Sequence, residues 1–388
     1  MNQPGAIILG VEYQALGLLR QLRSAGIPCV LVDEDAWGPA RFSKWRCPFF
    51  QSPPYTDEAF WPWLVRLQQD QNLGGWVLIP THDEQVQQIS LHYEEAQKRF
   101  RYAGPQGDLY RVVYDKRLSY DWCQRHGINS PVSYLPGSKE DLPNGTLDYP
   151  FIVKPSIKRN FKRCSKAKAI AVESSQTLRD LLQGQLAEVS TDELLYQEII
   201  PGGGRQQWSY AGFFVCGQPV AAFTACRQRQ HPPDFGRAST YVAAEYDAEV
   251  ERESRKVLEA LQYTGLAEVE WKRDPRNGQL KFLEVNARCW GWHSLAGAVV
   301  GDLAPMLYNY LVKNETKPAA PRYGARWIKH ITDVPVVVDL WRRGDLSLKE
   351  YLRTLRGNVV GCEWHGRDPF PFFLQFLLIP YLMKLRGY

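Results

Sequence analysis

The stretch LAEVEWKRDPRNGQLKFLEVNAR, residues 266–288, reads as two strands joined by DPRNG, a turn built on Pro275, Asn277 and Gly278. Side chains alternate between the two faces of a strand. Glu268, Glu270 and Lys272 therefore share one face, with Val269 and Trp271 on the other. On the return strand Glu284 and Asn286 share a face while Leu283 and Val285 are expected to point to the core. With the turn centred near Asn277, Glu270 is expected roughly opposite Glu284. Two carboxylates and an amide oxygen on one rigid hairpin suit Mg²⁺, which takes few protein ligands and completes its octahedron with phosphate oxygens and water. Arg288, just beyond, is a forked donor for a phosphate or carboxylate. The competing reading is a solvated hairpin face without a ligand.

Upstream, the first hundred residues alternate strand and helix. AIILG (6–10), ALGLLRQLRSAG (15–26) and CVLVDED (29–35) form a βαβ unit with a parallel sheet. WVLIP (76–80) is a further buried strand with THDE (81–84) at its C-terminal edge, where open α/β sheets place ligands, and a helix is expected over 84–100. Asp33 ends the second strand as in dinucleotide-binding folds, yet Gly10 and Gly17 do not make G-x-G-x-x-G, so a structural α/β domain is the better reading. Further on, a short helix enters near Asp115 and stops at Gly127. YPFIVKPS (149–156) is a strand ending at Lys154, ELLYQEIIPGGG (193–204) runs into a glycine turn, and residues 208–230 form a hairpin turning at CGQP. A helix is expected over roughly 248–263.

Composition bounds the function classes. At 388 residues and 44% hydrophobic the chain is globular, with two or three domains at roughly 150 residues each. A net charge of +5 is weak evidence for nucleic acid, and none is expected as a partner. Eight cysteines without C-x-x-C, and a start without a basic and then apolar leader, fit free thiols in a cytoplasmic protein. Seven histidines without zinc spacing, and the absence of the P-loop and G-x-S-x-G patterns, remove those chemistries. The tail 368–388 is interrupted by Pro380, so its unbroken apolar run is shorter than the roughly 20 residues of a membrane span. Packing on the protein or a partner is expected, with peripheral membrane contact as the alternative.

With DK at 115–116, FIVKP at 151–155, YQEIIPG at 196–202, VEW at 269–271 and FLEVNAR at 282–288 in this order, the chain resembles the ATP-grasp superfamily over almost its whole length. Within it the chain is most similar to the carboxylate–amine ligase group that includes D-aspartate ligases, and to the grasp halves of carbamoyl phosphate synthetase; RQRQHPPDFG (227–236) looks typical of that group. The resemblance implies an α/β protein: a Rossmann-like pre-ATP-grasp domain over 1–108, an ATP-grasp fold of two α+β subdomains over 109–315 (lid about 120–197, large subdomain about 198–315), and a short C-terminal helical extension over 316–388.

The resemblance also implies roles. Lys116 and Lys154 would contact the nucleotide phosphates, and Glu198, Ile199 and Ile200 would form the hinge that reads adenine through its backbone. Glu270, Glu284 and Asn286 would hold Mg²⁺, or Mn²⁺ in its place, and Arg288 with Arg229 would steady the transferring phosphoryl group. Lys116 as a first-turn helix residue, Lys154 and Glu198 as strand-end charges, and Arg227, two residues away on the same face, as the equal of Arg229 are the competing readings. Trp290, Trp292 and His293 are expected in the core, with a substrate role as the alternative. One departure is the basic, glycine-free loop IKRNFKRCSKAKA (157–169), where the family has a Gly- and Ser-rich flap gripping phosphates with backbone N–H groups; Lys158, Arg159 and Lys162 would replace those donors or recruit an acidic substrate.

The implied activity is ATP-dependent activation of a small carboxylate as an acyl phosphate and its capture by an amine, giving an amide, ADP and phosphate. Bicarbonate activation of the biotin carboxylase or carbamoyl phosphate synthetase kind is the alternative enzyme, and a homodimer is compatible with either. A catalytically silent nucleotide-binding scaffold is the alternative of another class, disfavoured because both lysines and all three proposed metal ligands are present.

Overall fold

The computed structural model describes residues 3–139, 141–143, 145–157, 169–232 and 238–377. The chain divides into two compact units, one formed by residues 1–107, 203–268 and 286–388, the other by residues 108–202 and 269–285. The first begins with β1 (Ala6–Leu9), α1 (Tyr13–Ser24), β2 (Cys29–Asp33), β3 (Phe49–Gln51), α2 (Phe60–Asp70), β4 (Val77–Pro80), α3 (Asp83–Leu91) and α4 (Tyr93–Arg99). Its four strands pair in parallel in the order β3-β2-β1-β4, which makes the edge between β1 and β4 the point where the strand order reverses. β1, β2 and β4 are buried at every position, as continuous apolar runs in a covered parallel sheet require.

The helix expected over 84–100 is two helices. The chain breaks at His92 (φ −115°, ψ 29°), whose ring stacks on Trp61 with centroids 4.9 Å apart. Asp33 does not face a ribose: its carboxylate accepts from the backbone N–H of Val11 at 2.7 Å and of Asp35 at 2.9 Å, holding the loop after β1.

The second unit contains α5 (Gly107–Tyr114, of which Gly107 belongs to the first unit), α6 (Lys116–Arg125), β5 (Ser133–Tyr134), β6 (Phe151–Pro155), β7 (Ile170–Val172), α7 (Ser175–Gln183) and β8 (Leu194–Glu198), with the sheet order β5-β8-β6-β7. Phe151, Val153, Leu178, Leu194 and Tyr196 form its core. Asp115 caps α6, accepting from Arg117 N–H at 2.9 Å, which places Lys116 at the helix start.

The remaining elements are β9 (Gln207–Val215), β10 (Gln218–His231), β11 (Ala238–Ala244), α8 (Ala248–Ala260), β12 (Gly265–Arg273), β13 (Leu280–Asn286), α9 (Ala296–Val299), α10 (Leu303–Lys313), β14 (Arg326–Ile328), α11 (His330–Arg343), α12 (Leu348–Thr354) and β15 (Val359–Gly361). A seven-stranded sheet runs β13-β12-β9-β10-β11-β14-β15, with β14 and β15 parallel. β14 and β15 carry three residues each, too few to show a period, and sequence reading missed them. The DPRNG turn forms as expected. Gly278 takes φ +75°, and the buried Asp274 accepts from Arg276 N–H at 2.9 Å.

The expected core face of β13 holds for Val285, which is buried, but not for Leu283. Phe282 is buried edge-on against Trp271, with centroids 5.6 Å apart, while Leu283 is only part-buried. Within its unit the strand is tied on its backbone to other elements, since Phe282 N–H donates to Asn129 O at 2.8 Å and Tyr120 Oη to Leu283 O at 3.1 Å.

Trp290, Trp292 and His293 join the core of the first unit, as expected. His293 Nδ1 lies 3.1 Å from Trp290 O, and burial lowers its pKa to about 4. The ring is seated on Gly17 of α1, where a Cβ would come within 2.6 Å of the imidazole. Gly17 therefore answers to packing and not to a nucleotide turn. Gly17→Ala gains about 1 kcal/mol of helix propensity and loses about 1–3 kcal/mol to overpacking. A lower denaturation midpoint is expected, and a raised one would show that the His293 ring moves aside freely.

Of the tail, residues 378–388 lie outside the described residues, and so does the basic loop over 158–168. The described start of the tail is anchored: buried Asp368 accepts from Arg20 Nε at 2.9 Å and from Ser43 Oγ at 2.8 Å. Among the described residues no single helix is long and apolar enough to cross a membrane, and all seven cysteines are free.

Candidate active site

Each unit carries a set of the expected residues. In the second unit, α6 presents Lys116 and Tyr120 one turn apart, on the same helix face. Lys116 Nζ donates to Glu284 Oε2 at 2.8 Å, and Tyr120 Oη donates to the carbonyl of Leu283, the residue before it. Lys154, at the end of β6, reaches Tyr120 Oη at 3.5 Å with its ammonium 5.6 Å from the ring centroid. Both lysines and Glu284 are thus gathered around one buried tyrosine, whose pKa burial raises to about 12, so it stays a neutral donor. Tyr120 was not singled out in the sequence; its position four residues after Lys116 was the signal available.

The side chains of Lys116 and Glu284 are 25% and 35% exposed, so both remain reachable from solvent. Glu270, on β12, is 8% exposed. The Glu198 carboxylate is spent on structure: Oε1 accepts from Val132 N–H at 2.8 Å and Oε2 from Arg276 Nη2 at 2.9 Å. The hinge carbonyl of Ile200 accepts from Lys272 Nζ at 2.7 Å, and Ile199 beside it is part-buried.

In the first unit, Asn286 is oriented from both sides. Its Nδ2 donates to Glu268 Oε2 at 3.1 Å, and its Oδ1 accepts from Arg288 Nη2 at 2.9 Å. Glu268 is itself fixed by Ser209 Oγ at 2.8 Å. Arg288 forms a two-pronged ion pair with Asp83, at 2.6 and 3.1 Å. Asp83 belongs to the THDE stretch after β4, so the strand-end segment and the hairpin arginine meet across 205 residues of sequence.

Arg229 is separate from this set. It is 6% exposed, pairs with the buried Asp333 at 2.8 and 2.7 Å, donates to Thr354 Oγ1 at 3.3 Å and lies 4.0 Å over the Tyr241 ring. Arg227 does not share its face. A bulge at Gln228 breaks the pairing of β10 with β11, and Arg227 instead donates to Gln207 Oε1 at 2.7 Å.

Among the described residues no group of three His, Cys, Asp or Glu is placed to hold a metal. The donors on β12 and β13 are all hard oxygens, which fits a cation that relies on phosphate and water for most of its shell and not one that needs a full protein cage.

Residues 237–309 match the family model described as the ATP-binding domain of the carbamoyl-phosphate synthase L chain. The chain is 24% identical to a D-aspartate ligase from Enterococcus faecium (strain Aus0004) over 302 residues, 73% of this chain and 70% of that protein. It is similar in fold to the biotin carboxylase domain of a 2-oxoglutarate carboxylase from Hydrogenobacter thermophilus, a dimer in complex with MgADP, ADP and bicarbonate. There the TM-score is 0.64 at 14% identity, over 84% of this chain and 74% of that one. The chain has the ATP-grasp fold. An L-amino acid ligase from Bacillus licheniformis is likewise similar in fold, with a TM-score of 0.61 at 15% identity over 82% of this chain and 78% of that one.

Proposed function

We propose that this ATP-grasp protein is an ADP-forming ligase: it activates a carboxylate with ATP as an acyl phosphate, which an amine attacks to give an amide and phosphate. The observation that carries the reading is the Lys116–Glu284–Tyr120–Lys154 arrangement, a pair of phosphate-seeking cations held beside a carboxylate on the hairpin. The D-aspartate ligase and L-amino acid ligase relatives support it.

In this reading Lys116 and Lys154 hold the nucleotide phosphates, and Tyr120 fixes the reach of Lys154. Glu198, Ile199 and Ile200 supply the backbone edge for adenine, with the Glu198 side chain fastening the hinge. Glu270, Glu284 and Asn286 are the oxygen donors to Mg²⁺, which would neutralise charge on the phosphates, as is usual in phosphoryl transfer. Lys116 and Glu284, now paired with each other at 2.8 Å, would then serve the phosphates and the metal respectively. Arg288, aimed by Asp83, steadies the transferring phosphoryl group or the acyl phosphate. For Arg229 the geometry favours an anchoring role.

ADP release from the purified full chain with ATP, Mg²⁺ and a panel of organic carboxylates tests the reading, with hydroxylamine added to trap the acyl phosphate. Hydroxamate formation dependent on one acid is expected. The bicarbonate held by the carboxylase neighbour favours a second reading, and turnover with bicarbonate in place of any organic acid would select it. ATP binding without ADP formation would leave a silent scaffold.

A further inference from the structure

The helix that opens the tail, residues 370–377, turns its apolar side outward. Phe370, Phe373, Phe376 and Leu377 are 56, 56, 50 and 78% exposed, while Pro371 and Gln375, four residues apart on another face, are buried. A helix packed only for stability does the reverse, burying its apolar stripe and leaving the amide in water. Trp364 extends the same surface, with its ring edge-on to Phe372 and Phe373 at 5.4 and 6.0 Å between centroids. Most of the exposed large apolar side chains among the described residues lie between Val334 and Leu377, and this helix carries the most exposed of them. Contiguous exposed apolar surface of this kind marks an interaction site.

The segment that leads into the helix is fixed by the rest of the first unit. Arg20 of α1 donates to the carbonyls of Cys362, Glu363 and Asp368 at 3.4, 2.8 and 2.9 Å. Buried Asp368 also accepts from Lys44 N–H at 2.8 Å, which draws the loop at Ser43–Arg46 alongside, and Trp45 of that loop lies edge-on to His365 with centroids 5.8 Å apart. Phe372, on the helix itself, packs edge-on against His330 at 5.5 Å. The apolar face is thus presented by a backbone that polar contacts have already placed.

The charges beside that face are of one sign. Lys44, Arg46 and Arg367 are exposed, and among the described residues none of them is in an ion pair; the Lys44 ammonium rests 4.7 Å from the Trp45 ring. The acidic residues of stretches 41–48 and 361–377 are Glu363 and Asp368, and both are buried. From Pro369 to Tyr388 the sequence has no acidic residue, and Lys384 and Arg386 add two more cations. A cationic border around Phe, Leu and Trp is complementary to a surface of uniform negative charge, and it is the composition of segments that lie in a membrane interface.

We propose that this face docks the protein on an anionic lipid surface. Phe370, Phe373 and Leu377 enter the boundary between headgroups and acyl chains, Trp364 sits at headgroup level, and Lys44, Arg46 and Arg367 meet the lipid phosphates. The contact is peripheral, with no segment crossing the bilayer, and it does not depend on the ligase reading. Apolar insertion and charge attraction act together, so removal of either one should weaken the attachment, and salt should weaken only the second.

The test is co-sedimentation of the full chain with vesicles of phosphatidylcholine alone and of phosphatidylcholine mixed equally with phosphatidylglycerol. Binding to the mixed vesicles at least about tenfold tighter than to the neutral ones, and loosened by added salt, is expected. Phe373→Ser/Leu377→Ser changes two exposed positions and leaves the core alone. It should weaken binding to the mixed vesicles at least about tenfold, with the denaturation midpoint and the ATP Kd unchanged. Lys44→Gln/Arg367→Gln should remove most of the preference for the anionic vesicles. Failure to bind either vesicle, equal binding to both, or undiminished binding by the folded Ser variant overturns the proposal. A concentration-dependent dimer in light scattering that the Ser variant abolishes, with neither vesicle bound, also overturns it and assigns the face to a second copy of the chain.

Discussion

Glu284→Ala should lower Mg²⁺-dependent ADP release and hydroxamate trapping by at least about 10²–10³-fold, the loss that follows removal of a preorganised electrostatic contact to developing charge. The same change should leave the fold nearly untouched. Its ion pair with Lys116 is partly solvated, and exposed pairs contribute about 0–1 kcal/mol. Lys116→Met deletes the other half of that pair and should act mainly through nucleotide affinity, raising the ATP KM. The two variants therefore separate metal binding from phosphate binding at one contact. Glu284→Gln, which keeps the size and a neutral oxygen, should restore little, because the deficit is charge. Undiminished trapping in Glu284→Ala would sink the assignment of this carboxylate to the metal.

Arg229→Met should destabilise the protein by about 3–5 kcal/mol in chemical denaturation, since it leaves Asp333 buried with its charge uncompensated. Thr240 Oγ1, at 2.8 Å from Asp333, is a neutral donor and offsets only part of that. Arg229→Met/Asp333→Leu removes both charges, and buried pairs replaced by apolar side chains are often neutral or better. The double variant should therefore recover most of the stability, and with it the turnover rate. Recovered stability without recovered turnover would instead return Arg229 to the reacting phosphoryl group.

These two residues mark how far the sequence carries. Glu284 was legible because a strand of period two with paired oxygen ligands is a local pattern, and its place after DK, FIVKP, YQEIIPG and VEW in chain order gave it context. Lys116, capped by Asp115, was legible for the same reason. Arg229 was half legible. The resemblance implied a phosphoryl contact for it, but the bulge at Gln228 and the partner 104 residues away appear only when β10, β11 and α11 are packed together. Glu268 and the THDE segment with Asp83 were visible, but their partners were not, because orienting Asn286 and Arg288 is a contact with no signature in spacing. Leu283 was misassigned because alternation alone does not say which positions of a strand its neighbours cover: Phe282 is buried and Leu283 only part-buried.

The clamp of Arg20 on residues 362–368 has a further meaning for how the chain comes to be folded. β1 and α1 are made before the rest of the first unit, yet the guanidinium buried in α1 meets its acceptors only after some 340 more residues have been made, the separation to Asp368 being 348. The first unit is assembled from three separate stretches with the whole of the second threaded between them. Long-range closure of this kind is slow and leaves apolar surface waiting. The second unit, whose stretches end at residue 285, is the part that can complete its core during synthesis, and premature termination before residue 362 would leave Arg20 sealed in a helix with none of its three carbonyl acceptors.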